Sequence, residues 1–224
     1  MYMTNTACGA EITQIVDALP YEELIRTEDV AGQLANRLSI PYDKARAAAN
    51  VKLKRMTDRG TLKRLSKGVY CRVRQTVFGP IAPDIDQIAL KSVTVKDGSR
   101  IGYESGAGLL NRLGLSTLLP RKIEITTNQY RAKLPEGCHI KLTKPAATIT
   151  DDNWRYLQFI DAAVCLPDAH IDVEAPARLL NVLAKKQGLN SLTLIFLARK
   201  HYPAKTVLRL TDLLMEADNE PASR

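Results

Sequence analysis

At 224 residues, with 45% hydrophobic and 25% charged side chains, the chain is long enough for one large core or two modest ones and carries no signature of general disorder. No run approaches the roughly 18 apolar residues of a membrane span, and Met1 to Ala10 lacks the basic start and apolar stretch of a secretory signal. The four cysteines (Cys8, Cys71, Cys138, Cys165) show no paired spacing, which sets aside zinc-site and disulfide-scaffold classes and predicts reduced thiols in a cytoplasmic protein. Net charge is +8 and uneven: between Tyr42 and Arg74 eleven basic residues meet only Asp43 and Asp58, so this segment carries +9 and the remainder −1. A basic patch on a near-neutral body is the electrostatic footprint of a nucleic-acid reader.

In chain order, Ile12, Ile15, Val16 and Leu19 form an i, i+3, i+4, i+7 stripe that predicts a helix over Glu11–Leu19, ended by Pro20. Thr27 is the expected cap of a second helix, with Glu28 and Asp29 in its first turn and Val30, Ala31, Leu34, Ala35 and Leu38 inside. After the break at Ser39-Ile40-Pro41, a third helix is predicted over Tyr42–Arg59 and stopped by Gly60. Its core face is Ala45, Ala49, Leu53 and Met56. The opposite face carries Asp43, Lys44, Ala47, Asn50, Val51, Lys54 and Asp58. Small residues there permit close approach to a duplex, Asn pairs bidentately with adenine, and Lys reaches guanine or phosphate. Thr61–Leu65 and Val69–Val73 alternate with period 2 around Ser66-Lys67-Gly68, the pattern of a β-hairpin. Three short helices followed by a basic hairpin predict a winged helix-turn-helix, with the third helix in the major groove and the wing on backbone or minor groove. The DNA-contact candidates are Lys44, Arg46, Asn50, Lys52, Lys54, Arg55, Arg59, Lys63, Arg64, Lys67, Arg72 and Arg74. An amphipathic helix that merely faces solvent, and a winged helix used for protein contact, are the alternatives.

Val77–Asp84, with Pro80 and Pro83, reads as a linker or strap. Asp84 caps a predicted helix to about Val95 with Ile85, Ile88, Ala89 and Val93 inside, Asp97-Gly98 is a turn, and Tyr103–Leu113 reads as a further helix. Lys122–Thr127 and Cys138–Leu142 alternate as strands that pair as a hairpin across Asn128–Gly137. Helices follow over Asp151–Cys165, Glu174–Gln187, Ser191–His201 and Pro203–Ala217, with Leu192, Leu194, Ile195 and Leu197 expected to be buried. The tail from Asn219 to Arg224 is expected to fray. The predicted fold class is therefore α+β, mainly helical: a winged helix-turn-helix over residues 1–76, then a larger α+β domain over 77–224 ending in a helical bundle.

No catalytic pattern stands out, and neither cofactor nor metal is expected. His139, His170 and His201 are far apart, and Gly102, Gly106 and Gly108 do not form a phosphate loop. Asp84, Asp97, Glu104 and Glu124 are conceivable as a nuclease cluster, but Glu124 is followed by Ile125-Thr126 rather than by the lysine spacing of such sites. A nuclease of this kind and a protein-interaction module remain the rival readings.

The stretch Gly60-x-Leu62-x-Arg64-Leu65-x-x-Gly68-Val69-Tyr70 resembles the winged helix of the AbiEi-like antitoxins of type IV toxin–antitoxin systems. So do Gly102-Tyr103-Glu104-Ser105-Gly106-Ala107-Gly108, Asn111-Arg112-Leu113-Gly114-Leu115-Ser116-Thr117 and Pro120-Arg121-Lys122-Ile123-Glu124-Ile125-Thr126-Thr127. Together they span roughly residues 12 to 127. The resemblance implies a two-domain protein encoded beside a nucleotidyltransferase-like toxin in an abortive-infection system. Its N-terminal domain would repress its own operon by binding inverted repeats in double-stranded DNA. Its C-terminal domain would counteract the toxin without a stable complex, and Arg112, Arg121, Lys122 and Arg131 would extend the DNA footprint. A winged-helix regulator without a toxin partner is the alternative.

Overall fold

Ile12, Ile15 and Val16, all buried, turn one face of helix α1 (Asn5–Asp17) into the first core. The computed structural model describes residues 5–81 and 83–219; the expected fraying of the tail falls, beyond Asn219, outside them. Helix α1 begins before the expected Glu11, because small residues such as Ala7 and Ala10 propagate a helix once it is nucleated. Strand β1 (Ile25–Arg26) is followed at once by α2 (Thr27–Leu38). Here Arg26, not Thr27, is the cap residue. Thr27 is the first helical residue, and its hydroxyl donates to the Gly68 carbonyl at 3.3 Å. Ser39 ends α2 with φ +50, and α3 follows (Tyr42–Asp58) with Ala45, Ala49, Leu53 and Met56 buried, as their spacing predicts.

The chain then forms β2 (Leu62–Ser66) and β3 (Val69–Arg72), antiparallel, with Lys63 opposite Cys71, Arg64 opposite Tyr70 and a bulge between Arg64 and Ser66. Gly68 takes φ +75, a left-handed conformation that residues with a Cβ disfavour, which closes the turn after Lys67. Strand β1 adds on the other side of β3, pairing Ile25 with Tyr70 and Arg26 with Val69, so the sheet order is β1-β3-β2. Leu34, Leu53, Leu62 and Tyr70 belong to the core shared by α1 to α3 and this sheet.

The stretch read as a linker is instead a second hairpin, β4 (Arg74–Thr76) with β5 (Gly79–Ile81). Pro80 is compatible because it sits on the edge of a two-stranded ribbon. Helix α4 (Ile85–Thr94) is capped by Asp84, whose carboxylate accepts from the Gln87 amide at 3.1 Å. Ile88 of α4 packs with Leu24, Leu65, Val69 and Cys71. That packing carries the first compact unit past the expected boundary at residue 76: it comprises Met1–Ser92 and Lys133–Cys138, and the second comprises Val93–Ala132 and His139–Arg224.

The second unit opens with the ribbon β6 (Val95–Lys96) and β7 (Ser99–Arg100), turned at Asp97-Gly98 with φ +50 and +80. Gly102–Ser105 is strand β8, not the start of a helix; α5 is only Gly106–Arg112. A Cβ at Gly102 would lie 2.4 Å from the Val93 carbonyl oxygen, so the close approach that builds this sheet requires glycine. Strand β9 (Ile123–Thr127) runs antiparallel to β8 and parallel to β10 (Ile140–Thr143), with Ile123 opposite Ile140. The expected β9–β10 hairpin is therefore a crossover, made possible by a long connection that two parallel strands need.

Helices α6 (Trp154–Cys165), α7 (Pro176–Lys186), α8 (Ser191–His201) and α9 (Ala204–Asn219) pack around Leu110, Ile160, Leu180, Leu194 and Leu210. Leu194 is fully buried, but Leu192 is 77% exposed, because two residues turn a helix by about 200° and carry it to the far face. The protein is α+β, with small sheets and long helices.

Candidate nucleic-acid interface

Arg46, Asn50 and Lys54 recur every four residues on α3 and so form one row along the helix, beside its buried face. All three are exposed. They form one wall of a cleft of about 650 Å³, closed on the other side by Arg64, Ser66, Lys67 and Gly68 of the β2–β3 hairpin. The N-terminal end of α2, with Arg26, Thr27 and Glu28, lines it too, because Thr27 is tied to Gly68 by its hydroxyl and by its amide, 2.9 Å from the same carbonyl. Lys133 completes the lining, and Glu28 and Asp58 are its acidic residues. Arg64 Nε donates to the Ser66 carbonyl at 3.3 Å, which holds the guanidinium near the hairpin turn.

Five of the twelve residues expected from sequence thus meet in one cleft: Arg46, Asn50, Lys54, Arg64 and Lys67. Three others, Lys52, Arg59 and Arg72, line a separate hollow of about 320 Å³ on the other flank of α3. Lys44, Arg55, Lys63 and Arg74 are exposed but line neither. The expectation that Arg72 contacts phosphate does not fit its surroundings. Its guanidinium donates to the carbonyls of Asp17 (3.2 Å) and Leu19 (2.9 Å), lies 3.6 Å from the Asp17 carboxylate and stacks 4.1 Å over the Tyr21 ring. Its pairing with the α1 end makes it a brace between helix and sheet.

Sequence reasoning missed Arg26, Glu28 and Lys133. The apolar pair Leu24-Ile25 ahead of Arg26 was a short strand signal; nothing local marks Lys133, which is remote in sequence. Of the cations expected to extend the footprint, Arg112 is paired with the Glu104 carboxylate and Arg131 lies 5.2 Å from the Tyr130 ring centroid.

The second unit holds a buried polar cluster of another kind. Tyr103 and Tyr202 donate hydroxyl hydrogen bonds to the two oxygens of Asp161, at 2.8 and 2.7 Å. Burial pushes the Asp161 carboxyl above its usual range, opposed by the hydrogen bonds from Tyr202, Tyr103 and Thr126. Burial likewise raises Glu104, opposed by the charge of Arg112. Glu124 pairs with Lys141 at 3.2 Å, and among the described residues no three His, Cys, Asp or Glu side chains are grouped so as to hold a metal. Among those residues, too, no helix is long and apolar enough to cross a membrane.

Fold and cleft define an α+β protein whose first unit concentrates cations around one exposed helix and one hairpin. The chain belongs to DUF6088, a family of unknown function, whose model matches residues 23–187. No curated protein matches the sequence.

Proposed function

We propose that the protein binds duplex DNA through a winged helix-turn-helix, represses its own operon and serves as the antitoxin of a type IV toxin–antitoxin system. The observation that carries the DNA reading is the cleft that gathers Arg46, Asn50 and Lys54 of α3 with Arg64 and Lys67 of the β2–β3 hairpin. The order of three helices followed by a hairpin, with β1 as a third strand, supports the winged-helix assignment. Phosphate contacts by the cations supply affinity, while Asn50 presents the amide that pairs bidentately with adenine. The antitoxin half rests on the resemblance carried by the Gly60–Tyr70 and Gly102–Thr127 segments. In that role the protein opposes a nucleotidyltransferase-like toxin without holding it in a stable complex.

The test is a titration of two labelled duplexes, one from upstream of the protein's own gene and one scrambled. The proposal expects the upstream duplex to bind ~10³-fold or more tightly, and expression of the protein to restore growth to cells making the neighbouring toxin. Equal affinity for both duplexes removes the repressor reading, and unrelieved toxicity removes the antitoxin reading.

A further inference from the structure

The connection between β9 and β10 starts and ends in the second unit's sheet, yet its middle, Lys133–Cys138, belongs to the first unit. Both ends are held firmly. The Asn128 side chain exchanges hydrogen bonds with the Ile149 amide and carbonyl, at 2.9 Å each, and the Ile123 amide donates to the His139 carbonyl at 2.7 Å. Between them Pro135 is buried while Lys133 is exposed. An ammonium on this segment lines the same cleft as Arg46, Lys54 and Lys67.

We infer that Lys133 is a further phosphate-contacting residue of the DNA site, contributed by a segment distant in sequence from the helices and hairpin that form the rest of it. This rests on the DNA reading of the cleft. A lysine here is a point charge on a flexible stem, suited to a backbone phosphate and not to reading a base edge. Its contribution is therefore independent of sequence and visible in the salt dependence of binding. Glu28 and Asp58 offset two of the six cations on the lining, which leaves the cleft at a formal +4, and Lys133 supplies one of those charges.

The experiment measures binding of the full chain to the upstream and scrambled duplexes across a salt series, for wild type, Lys133→Ala, Lys133→Arg and Lys205→Ala, an exposed control in α9. One lost phosphate contact lowers the log–log salt slope by about 0.9, which amounts to a roughly fivefold loss of affinity near physiological salt. The expected result is that loss for Lys133→Ala, equal on both duplexes, with Lys133→Arg and Lys205→Ala near wild type and all variants melting like wild type. Wild-type affinity and slope in Lys133→Ala, while Arg46→Ala and Lys54→Ala weaken binding, overturns the inference and leaves the DNA reading standing. If the wild type itself shows no salt-sensitive duplex binding, the DNA reading fails and the inference falls with it.

Discussion

Asn50 and Arg72 were both candidate contacts from sequence, and their surroundings separate them. Asn50 is exposed in the middle of the cleft row, so Asn50→Ala is expected to leave thermal stability unchanged and to reduce discrimination at one base pair by ~1–3 kcal/mol, read by comparing single-base variants of the upstream duplex. Arg72 is held by the Asp17 and Leu19 carbonyls and by Tyr21. Arg72→Ala should therefore cost ~1–3 kcal/mol in denaturant unfolding with the salt slope of DNA binding unaltered. Asp161 offers a pH test in the second unit. Its folded-state pKa is raised by burial, so the stability it contributes is present below the unfolded carboxyl pKa and is lost as pH rises through the folded value. Removing a donor to the ionised form widens that loss. Tyr202→Phe is expected to be more destabilised at pH 8 than at pH 5 when melted beside wild type, and Asp161→Asn to show a flatter stability profile over the same range. An equal effect of Tyr202→Phe at both pH values would mean that Asp161 does not change its protonation state between them.

The elements differ in how plainly the sequence announced them. Helix α3 was legible down to its four buried residues, because core spacing and an uninterrupted run of helix formers agreed. So were the β2–β3 hairpin, the Asp84 cap and α8, each marked by local chemistry. Strand β8 was not, because Gly102–Ser105 carries little β-propensity and runs straight into the apolar spacing of α5; its state is set by pairing with β9, a tertiary effect. The β4–β5 ribbon was hidden by Pro80 within it and Pro83 just beyond it, and the direction of β10 by the absence of any local signal that distinguishes a crossover from a hairpin. For β8 the constraint is steric: Gly102→Ala meets the Val93 carbonyl and the backbone oxygen of Thr126, and an expected cost of about 3 kcal/mol makes the second unit the first to melt in calorimetry. In the hairpin, Gly68→Val forces a β-branched residue into φ +75, and a cost of ~1–2 kcal/mol with weakened DNA binding is expected from unfolding and titration.

At the scale of the molecule, the charge pattern marked the segment that supplies most of the cleft's cations but not which of them line it. The +9 segment from Tyr42 to Arg74 contains the α3 row and the hairpin cations of the cleft. Periodicity placed Lys44, Asn50 and Lys54 on the exposed side of α3 but not Arg46, and only the fold separates the segment's cations into a cleft, a flanking hollow and scattered exposed positions. Arg26 and Lys133 line the cleft through strand pairing and chain path; the short Leu24-Ile25 signal marks the first, and no local pattern marks the second. The most direct test of the whole account is binding of the upstream duplex by wild type and by an Arg46→Ala, Lys54→Ala, Lys67→Ala variant as salt rises from about 50 to about 200 mM. For six to ten phosphate contacts, wild-type affinity should fall by roughly three to five decades over that range, and the triple variant should show a slope smaller by roughly 2.7 while remaining folded. A triple variant that keeps wild-type affinity, slope and preference for the upstream duplex would show that the cleft is not where DNA binds.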